Sequence, residues 1–149
     1  MLPVVIRTEC TYKNVSVSRL WEAITHPGEM RKWFFKSMHS FIPEHGFSTR
    51  FKVNTKGRDY VQIWQVIEVI PKQKISYQWR YGNLPGNSTV SFELFGDQNN
   101  STLILTHTGT ESFFATKPDL TTKSCTDGWK YFLCVRLKDY LAGKTDWMD

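Results

Sequence analysis

Cysteine is scarce in this sequence, and its placement excludes more than it suggests. The three residues, Cys10, Cys125 and Cys134, are odd in number and widely separated, with no C-x-x-C pair and no metal-type spacing. They read as buried thiols in a reducing compartment. No stretch approaches the ~18 consecutive apolar residues of a membrane span, and Arg7 and Glu9 interrupt the first apolar run, leaving no signal-peptide core. These absences predict a cytoplasmic protein that does not engage a membrane. Also missing are a G-x-S-x-G elbow, an H-E-x-x-H pair, a phosphate-binding glycine loop and two carboxylates on a common inner face. No metal, nucleotide, flavin or other cofactor is indicated. Without a linker, internal repeat or low-complexity tract, the chain reads as a single domain over residues 1–149.

Aromatic residues are abundant, at 15% of 149 residues, and are spread along the whole chain. A domain of this length buries roughly 68–70% of the surface its unfolded chain exposes, so large rings are available to fill a core or line a pocket. The net charge of +5 attracts acidic partners in principle. Only Arg50, Lys52, Lys56 and Arg58 concentrate it, on and just beyond the outward side of an expected strand. With no nucleic-acid motif beside them, they read as a solvated face.

Residues 2–12 alternate as a strand, with Val4, Ile6, Thr8 and Cys10 on one side. Ser16 fits the N-cap of a helix striped by Val17, Leu20, Trp21 and Ile24, and Pro27 opens a second short helix through Trp33 and Phe34. Period-two patterning then predicts strands near 37–44, 47–55, 60–70, 74–82, 88–96 and 101–108, forming an antiparallel meander. A variable loop containing Gly109 and Pro118 leads to a long amphipathic helix from Gly128 to Leu141. Its apolar face carries Trp129, Phe132, Leu133, Leu137, Tyr140 and Leu141.

A helix this apolar needs a concave sheet face against it, and strand parity identifies that face. Tyr77, Trp79 and Tyr81 oppose Gln78 and Arg80, while Val90, Phe92 and Leu94 oppose Ser91 and Glu93. The same alternation places Phe47, Phe51 and Val53 inward, then Val61, Ile63, Gln65, Ile67 and Val69, and finally Leu103, Leu105 and His107. Gln65 and His107 are thus expected as polar groups on an apolar face. Each needs a partner, because an unpaired buried polar group costs about 1–3 kcal/mol.

The residues carry a family resemblance. Leu20-Trp21-Glu22-Ala23-Ile24-Thr25-His26-Pro27 with Lys32-Trp33-Phe34, then Thr102-Leu103-Ile104-Leu105-Thr106-His107-Thr108-Gly109, then Gly128-Trp129 with Leu133, Leu137, Lys138, Tyr140 and Leu141, occur in order along nearly the whole chain. This order resembles the START-like, birch-pollen-allergen-like helix-grip superfamily (SRPBCC), in the branch of the activator of heat-shock protein 90 ATPase homologue-like proteins. The resemblance implies an α+β helix-grip fold: a curved antiparallel sheet of about seven strands around a long C-terminal helix, with two short helices after the first strand.

It also implies a cavity between sheet and helix, since superfamily members bind lipids, hormones, polyketides or other apolar molecules. The leading expectation is a binding module for a small lipid- or polyketide-like molecule, in a stress-related setting, acting as a monomer or homodimer. Its wall residues would be Trp33, Phe51, Ile63, Gln65, Tyr77, Trp79, Phe92, His107, Trp129, Leu133 and Leu137, with Gln65 and His107 orienting a polar end of the ligand. Two alternatives stand beside it. One is a cyclase- or hydrolase-type enzyme with His107 as a weak acid/base candidate. The other is a co-chaperone-like module that binds a chaperone or another protein through the basic outer strand.

Overall fold

A computed structural model describes residues 5–55, 57–82, 84–113 and 121–144. Strand β1 (Val5–Lys13) leads into helices α1 (Val17–Thr25) and α2 (Pro27–Trp33), followed by strands β2 (Ser48–Thr55), β3 (Arg58–Ile70), β4 (Lys74–Tyr81), β5 (Ser88–Gly96) and β6 (Asn100–Thr108). The six strands form one antiparallel sheet in the order β1-β6-β5-β4-β3-β2, leaving β1 and β2 at its edges. The C-terminal helix runs as α3 (Thr122–Tyr131), a wider π turn at Phe132–Arg136, and α4 (Leu137–Leu141). This is the helix-grip arrangement. Val4 and Pro118 fall outside the described residues.

Local chemistry explains the short helices. Ser16 accepts the Arg19 amide at 3.0 Å as the N-cap of α1, and the His26 imidazole accepts the Gly28 amide at 3.1 Å as the cap of α2. Pro27 occupies the first turn of α2, where its missing N–H costs nothing. The Trp33 indole donates to the Ala23 carbonyl at 2.8 Å, which locks α2 against α1.

Three sequence expectations are corrected. Residues 37–44 do not form a strand, so the sheet has six strands among the described residues rather than about seven. Pro43 removes a ladder donor there. Side chains hold the segment instead: Arg31 donates to the Met38 and His39 carbonyls, and Ser37 Oγ donates to the Lys52 carbonyl at 2.6 Å.

The second correction is the parity of β3. Tyr60, Gln62, Trp64 and Val66 are buried, whereas Ile63 is only half-buried and Gln65 is exposed on the outer face. Both faces of this strand are rich in apolar residues, so alternation alone cannot choose between them. Pairing with β4 decides it, because Val66, Trp64 and Gln62 stand opposite the inward Tyr77, Trp79 and Tyr81. A bulge between Val66 and Glu68 then resets the phase, so that Val69 pairs with Ile75. The inward amide of β3 is therefore Gln62, which accepts the Trp64 indole N–H at 3.1 Å.

Third, Cys10 and Cys134 are not thiols. They form a disulfide with a Cα–Cα separation of 5.7 Å, and Cys125, which is buried, lies outside that bond. The bond ties edge strand β1 to the π turn. Tyr12 adds a second tie, donating its buried hydroxyl to the Leu133 carbonyl at 2.8 Å.

The π turn has a packing reason. Cys125, Trp129, Leu133 and Leu137 are the buried residues of the helix and recur every fourth position. In an α-helix a four-residue step overshoots one turn by about 40°, so such a stripe drifts around the helix. A wider turn in the middle counters that drift and keeps all four side chains on the sheet. The helix starts at Thr122, ahead of Gly128, with the Thr121 hydroxyl accepting the Ser124 amide at 3.0 Å.

Candidate functional site

The inner end of the grip is closed by a chain of hydrogen bonds centred on His107. The Trp129 indole N–H donates to His107 Nδ1 at 3.1 Å, and His107 Nε2 lies 2.9 Å from Ser88 Oγ. Ser88 donates its own hydrogen to the Trp79 carbonyl at 2.7 Å, so its oxygen is left to accept from the imidazole. This direction assigns the neutral tautomer protonated on Nε2. Burial pushes the His107 pKa down to about 4, consistent with an uncharged ring near neutrality. With both nitrogens engaged, His107 has no lone pair to offer a substrate. Its role in this geometry is to hold the C-terminal helix on β6.

Rings fill the space around that clamp. Trp129 packs edge-on to Trp79 and Phe92 at centroid distances of 5.6 and 5.9 Å, and Trp64 lies against Tyr77 and Trp79 at 4.8 and 4.9 Å. Phe51 meets Trp64 at 4.9 Å, and Trp33 stacks flat on Phe34 at 4.6 Å. Of the expected wall residues, Trp33, Phe51, Tyr77, Trp79, Phe92, His107, Trp129, Leu133 and Leu137 are brought together in one packed core, each at most 6% exposed. Ile63 and Gln65 do not join them, for the parity reason given above. The Tyr77 hydroxyl has no hydrogen-bond partner among the described residues, and burial holds its pKa well above the ordinary value. Burial likewise pushes Tyr81 up to about 12, which keeps its phenol protonated.

One open space adjoins these rings, where the helix, the segment after α2 and edge strand β2 meet. A groove of about 430 Å³ is lined there by Phe34, Phe35, Lys36, Ser37, Lys52, Val53, Asn54, Phe132 and Arg136. Phe35 and Phe132, both half-buried, lie 5.3 Å apart and form its apolar floor with Phe34, which is 5.0 Å from Phe132. The π turn presents Phe132 and Arg136, four residues apart, to the same opening. Arg136 is braced by donating to the Lys32 carbonyl at 3.3 Å, with its guanidinium carbon 5.9 Å from the Phe132 ring centre. The volume and the aromatic lining suit a small molecule.

Comparison with known proteins places the fold. Residues 14–142 match the sequence profile of the family described as activator of Hsp90 ATPase homolog 1-like protein. The chain belongs to this family. No curated protein matches it. Among solved structures it is similar to DynU16, a protein of the dynemicin biosynthetic locus, with a TM-score of 0.73 and 23% identity over 95% of this chain; the chain spans 48% of DynU16. It is similar to MLL2253 from Mesorhizobium loti, with a TM-score of 0.70 and 24% identity over 98% of this chain and 99% of the other. It is also similar to Aha1 from Colwellia psychrerythraea, solved as a dimer, with a TM-score of 0.68 and 22% identity over 93% of this chain and 96% of the other.

Two of the segments that carry the resemblance meet in space, since Trp129 of the Gly128-Trp129 pair bonds His107 of the β6 segment. Gly109, the last residue of that segment, has φ 86°, and a Cβ there would stand 2.9 Å from the Asn87 carbonyl oxygen. These positions are therefore accounted for by packing. None of the groove residues is among the expected wall residues: Val53 reads as inner sheet face, Phe34 as part of the second helix, Phe132 as helix face and Lys52 as surface charge. Their available signal was the run Phe34-Phe35-Lys36-Ser37, two rings followed by a cation and a hydroxyl just past a short helix. Among the described residues, no helix is long and apolar enough to cross a membrane and no cluster of metal-ligating side chains occurs.

Proposed function

We propose that the protein is a binding module for a small apolar molecule, lipid- or polyketide-like, taken up at the mouth of the grip between β2, the segment after α2 and the π turn. The observation that carries this reading is the groove floored by Phe34, Phe35, Val53 and Phe132 beside a core that is already packed with rings. Its 430 Å³ lies within the range of small-molecule sites, roughly 300–1,000 Å³. The origin of DynU16 in a biosynthetic locus supports a ligand of natural-product type. The neutral, doubly bonded His107 favours binding over acid–base turnover.

Val53→Trp tests the reading, because an indole at this half-buried edge-strand position projects into the groove while suiting a strand. Titration with the neutral dye Nile red is expected to show affinity falling about tenfold or more in the variant, with an unchanged near-ultraviolet circular dichroism spectrum. Equal affinity in both proteins rejects this groove as the site.

A further inference from the structure

We infer that the outer face of the sheet, over β2, β3 and β4, docks an acidic extended segment of a partner protein that carries one apolar side chain between its carboxylates. The surface is centred on Ile63, which stands opposite Arg50 of β2 on one side and Arg80 of β4 on the other. Lys52 stands beside Val61 in the same way. On the β4 side Val61 meets Gly82, whose amide donates to the Val61 carbonyl at 2.8 Å. A Cβ at Gly82 would stand 3.2 Å from Ile63 Cδ1 and 3.4 Å from Val61 Cγ1, so the missing side chain leaves both half-buried residues uncovered from that direction. The result is a shallow apolar notch framed by Arg50, Lys52 and Arg80, all exposed. Among the described residues, none of these three side chains makes an ion pair or a hydrogen bond. The acids on the same side of the sheet are engaged away from the notch. Glu68 pairs with Lys74 at 2.8 Å, Glu93 stands opposite that lysine, Glu9 pairs with Arg7 at 3.1 Å, and Asp59 accepts the Asn54 amide at 2.9 Å. Like charges held around an apolar centre repel one another, and an acidic segment removes that repulsion as it covers the floor. Arg50 and Arg80 are two strand spacings apart, roughly 10 Å, a distance that an extended chain covers in about three residues. Carboxylates three positions apart with an apolar residue between them match this surface. A nucleic acid suits it less, because the rings of these strands, Phe51, Tyr60, Trp64, Tyr77, Trp79 and Tyr81, are buried and leave bases nothing to stack on.

The test is calorimetric titration of the whole chain, at low ionic strength and neutral pH, with an end-blocked peptide of two glutamates, a leucine and two glutamates. Binding is expected with a Kd below about 1 mM, about tenfold tighter than that of the same peptide with glutamine in place of glutamate. It should weaken as salt rises, because the rim is exposed. Arg50→Glu and Arg80→Glu should each weaken it about tenfold with unchanged thermal unfolding midpoints. Arg50→Gln and Arg80→Gln repeat the test with a smaller change of charge and should each weaken it about threefold. Lys138→Glu, the same charge reversal at an exposed position of the C-terminal helix, is the matched control and should leave affinity nearly unchanged. Val53→Trp should also leave it unchanged, so this surface and the groove stand or fall separately. Equal binding of the glutamate and glutamine peptides, or binding of neither, overturns the inference. Binding of the glutamate peptide that survives both arginine reversals places it elsewhere and overturns this surface. A single-stranded oligothymidine that binds more tightly than the peptide, with the same dependence on Arg50 and Arg80, overturns the choice of a protein partner.

Discussion

Two adjoining parts of the grip, the His107 clamp and the groove mouth, are built from the same kinds of residue and do opposite things with them. At the clamp, Trp129 packs on Trp79, Phe92 and His107, and a directed hydrogen-bond chain engages both nitrogens of His107, while the buried Trp79 indole nitrogen has no partner among the described residues. At the mouth, Phe34, Phe35 and Phe132 also touch, but one side of the cluster faces an opening rimmed by lysine and arginine. Aromatic content alone therefore does not mark a ligand site. What distinguishes the mouth is that Phe35 and Phe132 are only half-buried over the covered Phe34, and that cations from three separate elements line the same opening. The difference predicts that stability resides at the clamp and ligand affinity at the mouth.

The sharpest way to break this comparison is Trp129→Ala. Truncating a buried tryptophan costs about 3–5 kcal/mol, and here it also leaves His107 Nδ1 without its donor, which adds about 1–3 kcal/mol if nothing replaces it. Denaturant unfolding should show a loss of about 4–8 kcal/mol. A loss below about 2 kcal/mol would mean that the helix is not held at this end.

Reduction comes next. The Cys10–Cys134 bond closes a span of 124 residues and pins the π turn to β1. Breaking a native disulfide of this kind lowers stability by about 2–4 kcal/mol, read as a lower denaturation midpoint in the presence of reductant. Thiol titration of the denatured, unreduced protein should find one reactive cysteine, Cys125. Three reactive cysteines would remove the staple from the account.

The third test titrates the clamp. His107 binds its proton with a pKa of about 4 in the folded protein, below the ordinary histidine value of 6.5. Between these values the unfolded chain holds more protons than the native one, so stability is fully present above about pH 6.5 and is lost as the pH falls toward 4. The loss attributable to this residue is about 3 kcal/mol. Thermal unfolding of His107→Gln, compared with the parent between pH 4 and pH 7, should flatten that segment of the curve. An unchanged slope would mean that His107 is not the group responsible.

How far the sequence revealed this contrast depends on the signal each part left. The strand alternation of β4, β5 and β6 was legible because one face is apolar and the other carries Gln78, Arg80, Ser91 and Glu93. In β3 it was not, since the outward Val61 and Ile63 look as apolar as the inward Tyr60 and Val66, and only registry with β4 separates them. Residues 37–44 imitated a strand through Met38 and Phe41, which are buried without any ladder, held by Arg31 and Ser37. His107 stood out as a polar residue on an apolar face, but its partners, Ser88 and Trp129, are 19 and 22 positions away and invisible to any local pattern. The disulfide was hidden by the same distance. The groove was harder still, because it is assembled from the ends of three elements that share no periodicity.

The smallest expected effect tests the other half of the comparison. Lys52 is exposed on edge strand β2, and only its backbone carbonyl takes part in the tie to Ser37. Lys52→Gln leaves that carbonyl in place and removes one charge from a strongly basic chain, so unfolding free energy should change by no more than about 0.5 kcal/mol. Val53→Trp, by contrast, is expected to lower Nile red affinity. Stability and ligand affinity would then respond to different residues of one grip. A destabilisation of about 2 kcal/mol in Lys52→Gln would instead show that the mouth shares the structural work of the clamp, and the division drawn between the two parts would fail.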